Sequence, residues 1–143
     1  MFKKDIINKS WQNFKINNLT VESEDFLFGK SIKNCYGIYL VASEENYKTI
    51  LGYSDIWYIG QGKLRDRLIA LLDPYFKSHS SGTQRNHTAK NDLKRMIDVN
   101  CYSYSLYYKE FSDSEKSRQI EKKLLNDFCN KNIMAPPFNS NKN

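Results

Sequence analysis

Apolar and polar positions alternate most cleanly over residues 101–108. Tyr102, Tyr104, Leu106 and Tyr108 fall on one face, Ser103 and Ser105 on the other. A period of two marks a half-buried strand. Residues 36–41 (YGIYLV) and 55–60 (DIWYIG) are short apolar runs rich in β-branched and aromatic side chains, and each reads as a strand. The stretch between them carries Glu44-Glu45-Asn46 and Gly52-Tyr53-Ser54, so an antiparallel hairpin with a long, irregular connection is expected. The period lengthens at Leu64, Leu68, Leu71 and Leu72, which predicts a helix ending at Asp73-Pro74. A second helix is expected over residues 88–97, with Leu93, Met96 and Ile97 apolar. A third opens at Ser112-Asp113-Ser114-Glu115, which has the form of a capping box, and buries Ile120, Leu124, Leu125 and Phe128. Near the start, Ile7, Trp11 and Phe14 at spacings of four and three predict a short helix over residues 5–15, with a turn at Asn17-Asn18. Residues 135–139 are expected to be extended. The order arm, β, β, α, α, β, α, tail predicts an α+β fold: a small antiparallel three-stranded sheet flanked by helices over residues 35–143, with an N-terminal arm (1–34) packed on it.

A chain of 143 residues has room for one ordinary domain. Hydrophobic residues make up 40% and charged residues 27%, which is globular and not disordered composition. No run approaches the apolar length of a spanning helix, and the first residues lack a secretory signal's apolar core. Cys35, Cys101 and Cys129 are too few and too scattered for a disulfide framework or a paired zinc motif, and their odd number suits a reducing compartment.

The formal charge is +6, and its placement is more informative than its size. Residues 61–95 hold eight basic side chains (Lys63, Arg65, Arg67, Lys77, Arg85, Lys90, Lys94, Arg95) against three acids, net +5, while residues 1–60 are balanced. A basic stretch of this kind fits an anionic partner.

Two charged residues sit on otherwise apolar stripes. Glu121 shares a helix face with Leu124, Leu125 and Phe128, and Arg67 shares one with Leu64 and Leu71. Charges there are costly unless paired, bound to a ligand or left at the solvent edge. Gly37-Ile38-Tyr39 and Tyr58-Ile59-Gly60 fall on the two hairpin strands, followed by Leu64-Arg65-Asp66-Arg67-Leu68, Glu121-Lys122-Lys123-Leu124-Leu125 and Pro137-Phe138-Asn139. In that order these segments resemble the GIY-YIG nuclease family over about residues 35–141.

The resemblance implies metal-dependent hydrolysis of phosphodiester bonds in DNA, most readily duplex DNA. It implies that Glu121 binds a single Mg²⁺ or Mn²⁺, that Arg67 holds the phosphate, and that Tyr39 and Tyr58 flank it, one of them, Tyr39 in the first instance, acting as or assisting the general base. A tyrosine is a poor base at neutral pH unless a neighbouring cation lowers its pKa, and Lys63 or the metal is the candidate. Asn139 positions backbone or phosphate, Gly37 and Gly60 allow close approach, and Arg65, Lys77, Arg85, Lys90 and Lys94 contact nucleic acid. Many members carry His or Tyr one turn after the arginine; Leu71 stands there in this chain, and Tyr75, His79 or His87 is the candidate to serve instead. The length fits a restriction-like, phage-encoded or defence nuclease acting in the host cytoplasm, with a homodimer cutting both strands. The alternatives are an inactive nucleic-acid-binding module of the same fold, or a single-strand binder using the Tyr-rich strand as a stacking platform.

Overall fold

The computed structural model describes residues 1–16, 32–72, 87–99 and 102–139. Its centre is an antiparallel sheet of β1 (Gln12–Lys15), β2 (Tyr36–Lys48), β3 (Tyr53–Lys63) and β4 (Tyr104–Glu110), in the order β1-β4-β2-β3. Three helices accompany it among the described residues: α1 (Leu64–Leu72), α2 (Lys90–Asp98) and α3 (Ser114–Asn132). The architecture is α+β as expected, but the sheet has four strands where three were predicted. None of the described helices is long and apolar enough to cross a membrane.

The sheet is covered on both faces. Leu64, Leu68, Leu71 and Leu72 of α1 and Leu93 of α2 pack with Tyr39, Val41, Tyr58, Leu106 and Tyr108 on the upper face. Leu124, Leu125 and Phe128 of α3 pack with Leu40, Ile56 and Ile59 on the lower face. Phe128 is fully buried, and truncating such a ring to alanine costs about 3–5 kcal/mol.

The fourth strand comes from the arm. The predicted helix over residues 5–15 is replaced by a short 3₁₀ turn at Lys3–Asp5 and by β1. The backbone N–H and Nζ of Lys3 donate to Asp55 of β3 at 2.7 and 2.9 Å, and Nζ also reaches the Ser43 carbonyl at 2.8 Å. The chain then passes beneath the sheet, burying Ile6, Ile7 and Trp11 against the α3 side, and pairs as β1 with β4. The arm thus ties one side of the sheet to the other and gives β4 a partner on its outer edge.

The hairpin strands are longer than expected because the acidic stretch stays in the strand. Between the pairs Ala42↔Ile56 and Tyr47↔Ser54, four residues of β2 face Asp55 alone. Glu44 donates its amide to Ser103, the Glu45 carboxylate accepts the Ser103 amide at 3.0 Å, and Lys15 lies 3.6 Å from Glu44. The extra length is absorbed by bonds toward β4 and the arm rather than by a free loop.

Two smaller expectations shift. α3 is capped by Asp113, whose side chain accepts the Lys116 amide at 2.7 Å, and not by Ser112. Residues 137–139 form a 3₁₀ turn where extended chain was expected. The Asn17-Asn18 turn, Asp73-Pro74 and Cys101 lie outside the described residues.

Candidate active site

The upper face brings four of the candidate residues together. Tyr39 is on β2, Tyr58 on β3, Arg67 on α1, and His87 just ahead of α2. The Tyr39 hydroxyl lies 2.6 Å from His87 Nε2, accepts from the Arg67 guanidinium and donates to the Tyr58 hydroxyl. The Tyr39 and Tyr58 ring centroids are 5.8 Å apart, and those of Tyr58 and His87 5.1 Å apart.

Local backbone explains this convergence. Tyr58 pairs with Val41, yet Ala42 pairs with Ile56, so Trp57 is one residue too many. Such a bulge places neighbouring side chains on the same side of the sheet. Trp57 and Tyr58 accordingly both join the upper core. Gly60 supplies the space: a Cβ there would lie 2.5 Å from Tyr58 Cε1 and 2.6 Å from Tyr39 Cζ. Gly37 serves a different contact, since its Cβ would meet the Lys109 carbonyl and lie 2.5 Å from Leu64 Cδ1. It lets the strand lie against the start of α1.

The protonation pattern follows from the bonds. His87 Nδ1 accepts the Ala89 amide at 3.1 Å, a local side-chain-to-backbone bond just ahead of α2. A neutral imidazole has one N–H, so with Nδ1 accepting, the proton is on Nε2 and donates to Tyr39. Burial holds the acidic form of His87 down to about 3, with the Arg67 and Lys90 charges acting in the same direction. Burial also pushes the Tyr39 hydroxyl well above the usual tyrosine range, with Tyr58 adding to this and Arg67 opposing it. Desolvation outweighs the guanidinium here, and Tyr39 is a protonated phenol at neutral pH.

Asn139 is buried beside the same strand. Its Oδ1 accepts the Ile59 amide at 2.9 Å and its Nδ2 donates to the Ile59 carbonyl at 2.9 Å. It grips the backbone between Tyr58 and Gly60. Lys63 ends β3 and is exposed, so the cation in contact with the Tyr39 hydroxyl is Arg67 and not Lys63.

Glu121 is half-buried on α3, one turn before Leu124 and Leu125, which pack on the lower face. Among the described residues no three His, Cys, Asp or Glu side chains gather into a metal cage. The donor set fits only an ion content with one carboxylate, its other positions filled by water and substrate oxygens, which is how Mg²⁺ is commonly held.

Among the expected nucleic-acid contacts, Lys90 lies close enough to His87 to depress its pKa, Lys94 pairs with Asp98 at 2.6 Å, and Arg65 is half-buried on α1. Lys77, Arg85, Tyr75 and His79 fall outside the described residues. The sequence left His87 as one of three candidates and gave no role to Trp57, whose place depends on the bulge. No protein-family model, curated protein or solved structure matches the chain.

Proposed function

We propose that this chain is a GIY-YIG-type, metal-dependent endonuclease that hydrolyses phosphodiester bonds in DNA. One observation carries the reading: the Tyr39 hydroxyl meets Tyr58, Arg67 and His87 at a single point. Two tyrosine hydroxyls beside a guanidinium, with Lys90 nearby, form a site suited to an anion with several oxygens.

In this reading Arg67 takes the non-bridging oxygens of the scissile phosphate through its fork of N–H groups. Tyr39 is fully buried and Tyr58 less so, which makes Tyr58 the hydroxyl nearer the substrate and Tyr39 the group behind it. His87 and Arg67 both donate toward the Tyr39 oxygen, which favours the phenolate whenever Tyr39 gives up its proton. Water adds to phosphorus and the ester P–O bond breaks; a tyrosine hydroxyl takes water's proton as it releases its own to solvent, and the departing alkoxide takes a proton from solvent. Glu121 would hold Mg²⁺ or Mn²⁺, and that ion would supply neutralisation of charge on an alkoxide leaving group. Two copies of the chain would be required to cut both strands in one encounter.

The second reading is a binding module of the same fold without turnover. It is favoured by the packing of α3 on the sheet face opposite the tyrosines. Incubation with supercoiled plasmid at low salt separates the two. The endonuclease nicks or linearises plasmid with Mg²⁺ or Mn²⁺, stops with EDTA, and is lost in Arg67→Ala and Glu121→Ala. A gel shift by wild type without cleavage under any of these conditions would leave the binding module.

A further inference from the structure

The tip of the β2–β3 hairpin gathers exposed apolar side chains beside one strained backbone position. Its loop residues are Ile50-Leu51, held between Thr49 and Gly52 by the Thr49 amide donating to the Gly52 carbonyl at 2.8 Å. The left-handed position of the loop is filled by Gly52, at φ 92°. Ile50 and Leu51, by contrast, are 70% and 59% exposed, and Tyr53 beside them is 56% exposed. The Leu51 amide donates to the Asn132 carbonyl at 3.2 Å, which sets the loop against the end of α3. There Ile133 closes the helix at φ 58°, ψ 28°, the left-handed region that glycine or asparagine ordinarily fills, and its side chain is 55% exposed.

Neither feature helps the fold. A β-branched residue is strained at Ile133, and two large apolar loop residues stand in water. Both leave apolar surface at one place, around one backbone hydrogen bond.

The surrounding charge selects the occupant. Lys48 precedes the loop and Lys131 precedes Asn132, and both are exposed. Several acids of these elements are engaged elsewhere: Asp55 with Lys3, Glu44 with Lys15, Glu45 with Ser103, Glu115 with Arg118, Asp127 with Lys123. A second copy docked on the same patch would set like charges together, whereas a polyanion is attracted. We propose that the hairpin tip is an apolar wedge that enters a base step of duplex DNA from the minor groove, with Lys48 and Lys131 on the flanking phosphates. DNA as the partner rests on the nuclease reading. Along β3 the loop is six residues from Tyr58, about 20 Å or roughly six base pairs of duplex, so one DNA molecule can reach both.

The test uses a DNA duplex of roughly three helical turns with a fluorescence donor at one end and an acceptor at the other. Wild type is expected to bind and to raise energy transfer by bending it. The double substitution Ile50→Ser with Leu51→Ser should weaken binding at least about tenfold and abolish the bend, with the salt dependence unchanged because no cation is lost. Lys48→Ala should lower the salt slope by about one. Ile133→Gly controls for folding: it should raise the melting temperature by about 3–5 °C while weakening binding. If the apolar variants bind and bend the duplex as wild type does, the wedge is wrong. It is equally wrong if they leave DNA binding intact and dissociate a dimer in sedimentation, which would assign the patch to a second copy. Plasmid cleavage by wild type is read separately. Cleavage without bending sinks the wedge alone; no binding, bending or cleavage sinks both.

Discussion

His87 Nε2 lies 2.6 Å from the Tyr39 hydroxyl, while its Nδ1 is occupied by the Ala89 amide. The ring therefore reaches Tyr39 as a donor, and it cannot take the tyrosine's proton while the Ala89 bond holds. His87→Ala should lower plasmid cleavage by about tenfold, the effect of one hydrogen bond to a reacting group, and His87→Gln should restore part of it. A histidine base would add an inflection to the rate profile at its own pKa, but burial holds that pKa near 3. The kcat/KM profile measured between about pH 5 and 7 should show no limb that disappears in His87→Gln. Such a limb would make His87 a base.

The same burial makes His87 acid-sensitive for the fold. Its folded pKa, about 3, is below the ordinary 6.5 of an unfolded chain. Between those values the unfolded state binds a proton that the folded state does not. The stability contribution is complete above about pH 6.5 and falls by about 1.4 kcal/mol per pH unit toward 3. Urea unfolding at about pH 7 and about pH 4 reads the loss. His87→Phe removes this titration and should lose less stability over that interval than wild type.

Gly60 separates the two tyrosine rings. Gly60→Ala puts a methyl 2.5 Å from Tyr58 Cε1 and 2.8 Å from the Tyr39 hydroxyl, so a ring must move. Overpacking of this kind costs about 1–3 kcal/mol. Cleavage should fall more than stability, because the displaced atoms are those that meet Arg67 and His87. Equal Tm with unchanged cleavage would show that the tyrosine pair is not the reacting centre.

Period and order in the sequence account for much of this arrangement. The stripe at Leu64, Leu68, Leu71 and Leu72 is the buried face of α1, and Tyr104, Leu106 and Tyr108 share the upper face as their alternation requires. The arm misled because Ile7 and Trp11 pack below the sheet while Phe14 packs above it. Their helix-like spacing is the trace of a chain crossing from one face to the other. Trp57 breaks strand parity through a bulge that only pairing reveals, and the cap at Asp113 differs from Ser112 by one residue, a choice made by side-chain reach. The meeting of Tyr39, Tyr58 and Arg67 was legible from motif order, since a strand pair leading straight into a helix leaves little freedom. His87 was not, because neither period nor motif order distinguishes it from Tyr75 and His79.

Asn139 gives the sharpest separation of positioning from chemistry. Its amide accepts from and donates to Ile59, as a neighbouring strand residue would, and Phe138 packs on Trp57 with ring centroids 5.2 Å apart. Asn139→Ala leaves buried backbone groups of Ile59 unsatisfied, at a cost of about 1–3 kcal/mol, and frees the segment that carries Tyr58. Asn139→Asp keeps the acceptor for the Ile59 amide but sets a carboxylate oxygen against the Ile59 carbonyl. Protonation of that carboxylate restores a donor, so the deficit of Asn139→Asp relative to wild type should shrink as pH falls through the carboxylate range. Thermal melts at about pH 7 and about pH 4 read this directly. A residue that touched the phosphate instead would leave Tm unchanged in both variants and raise KM alone.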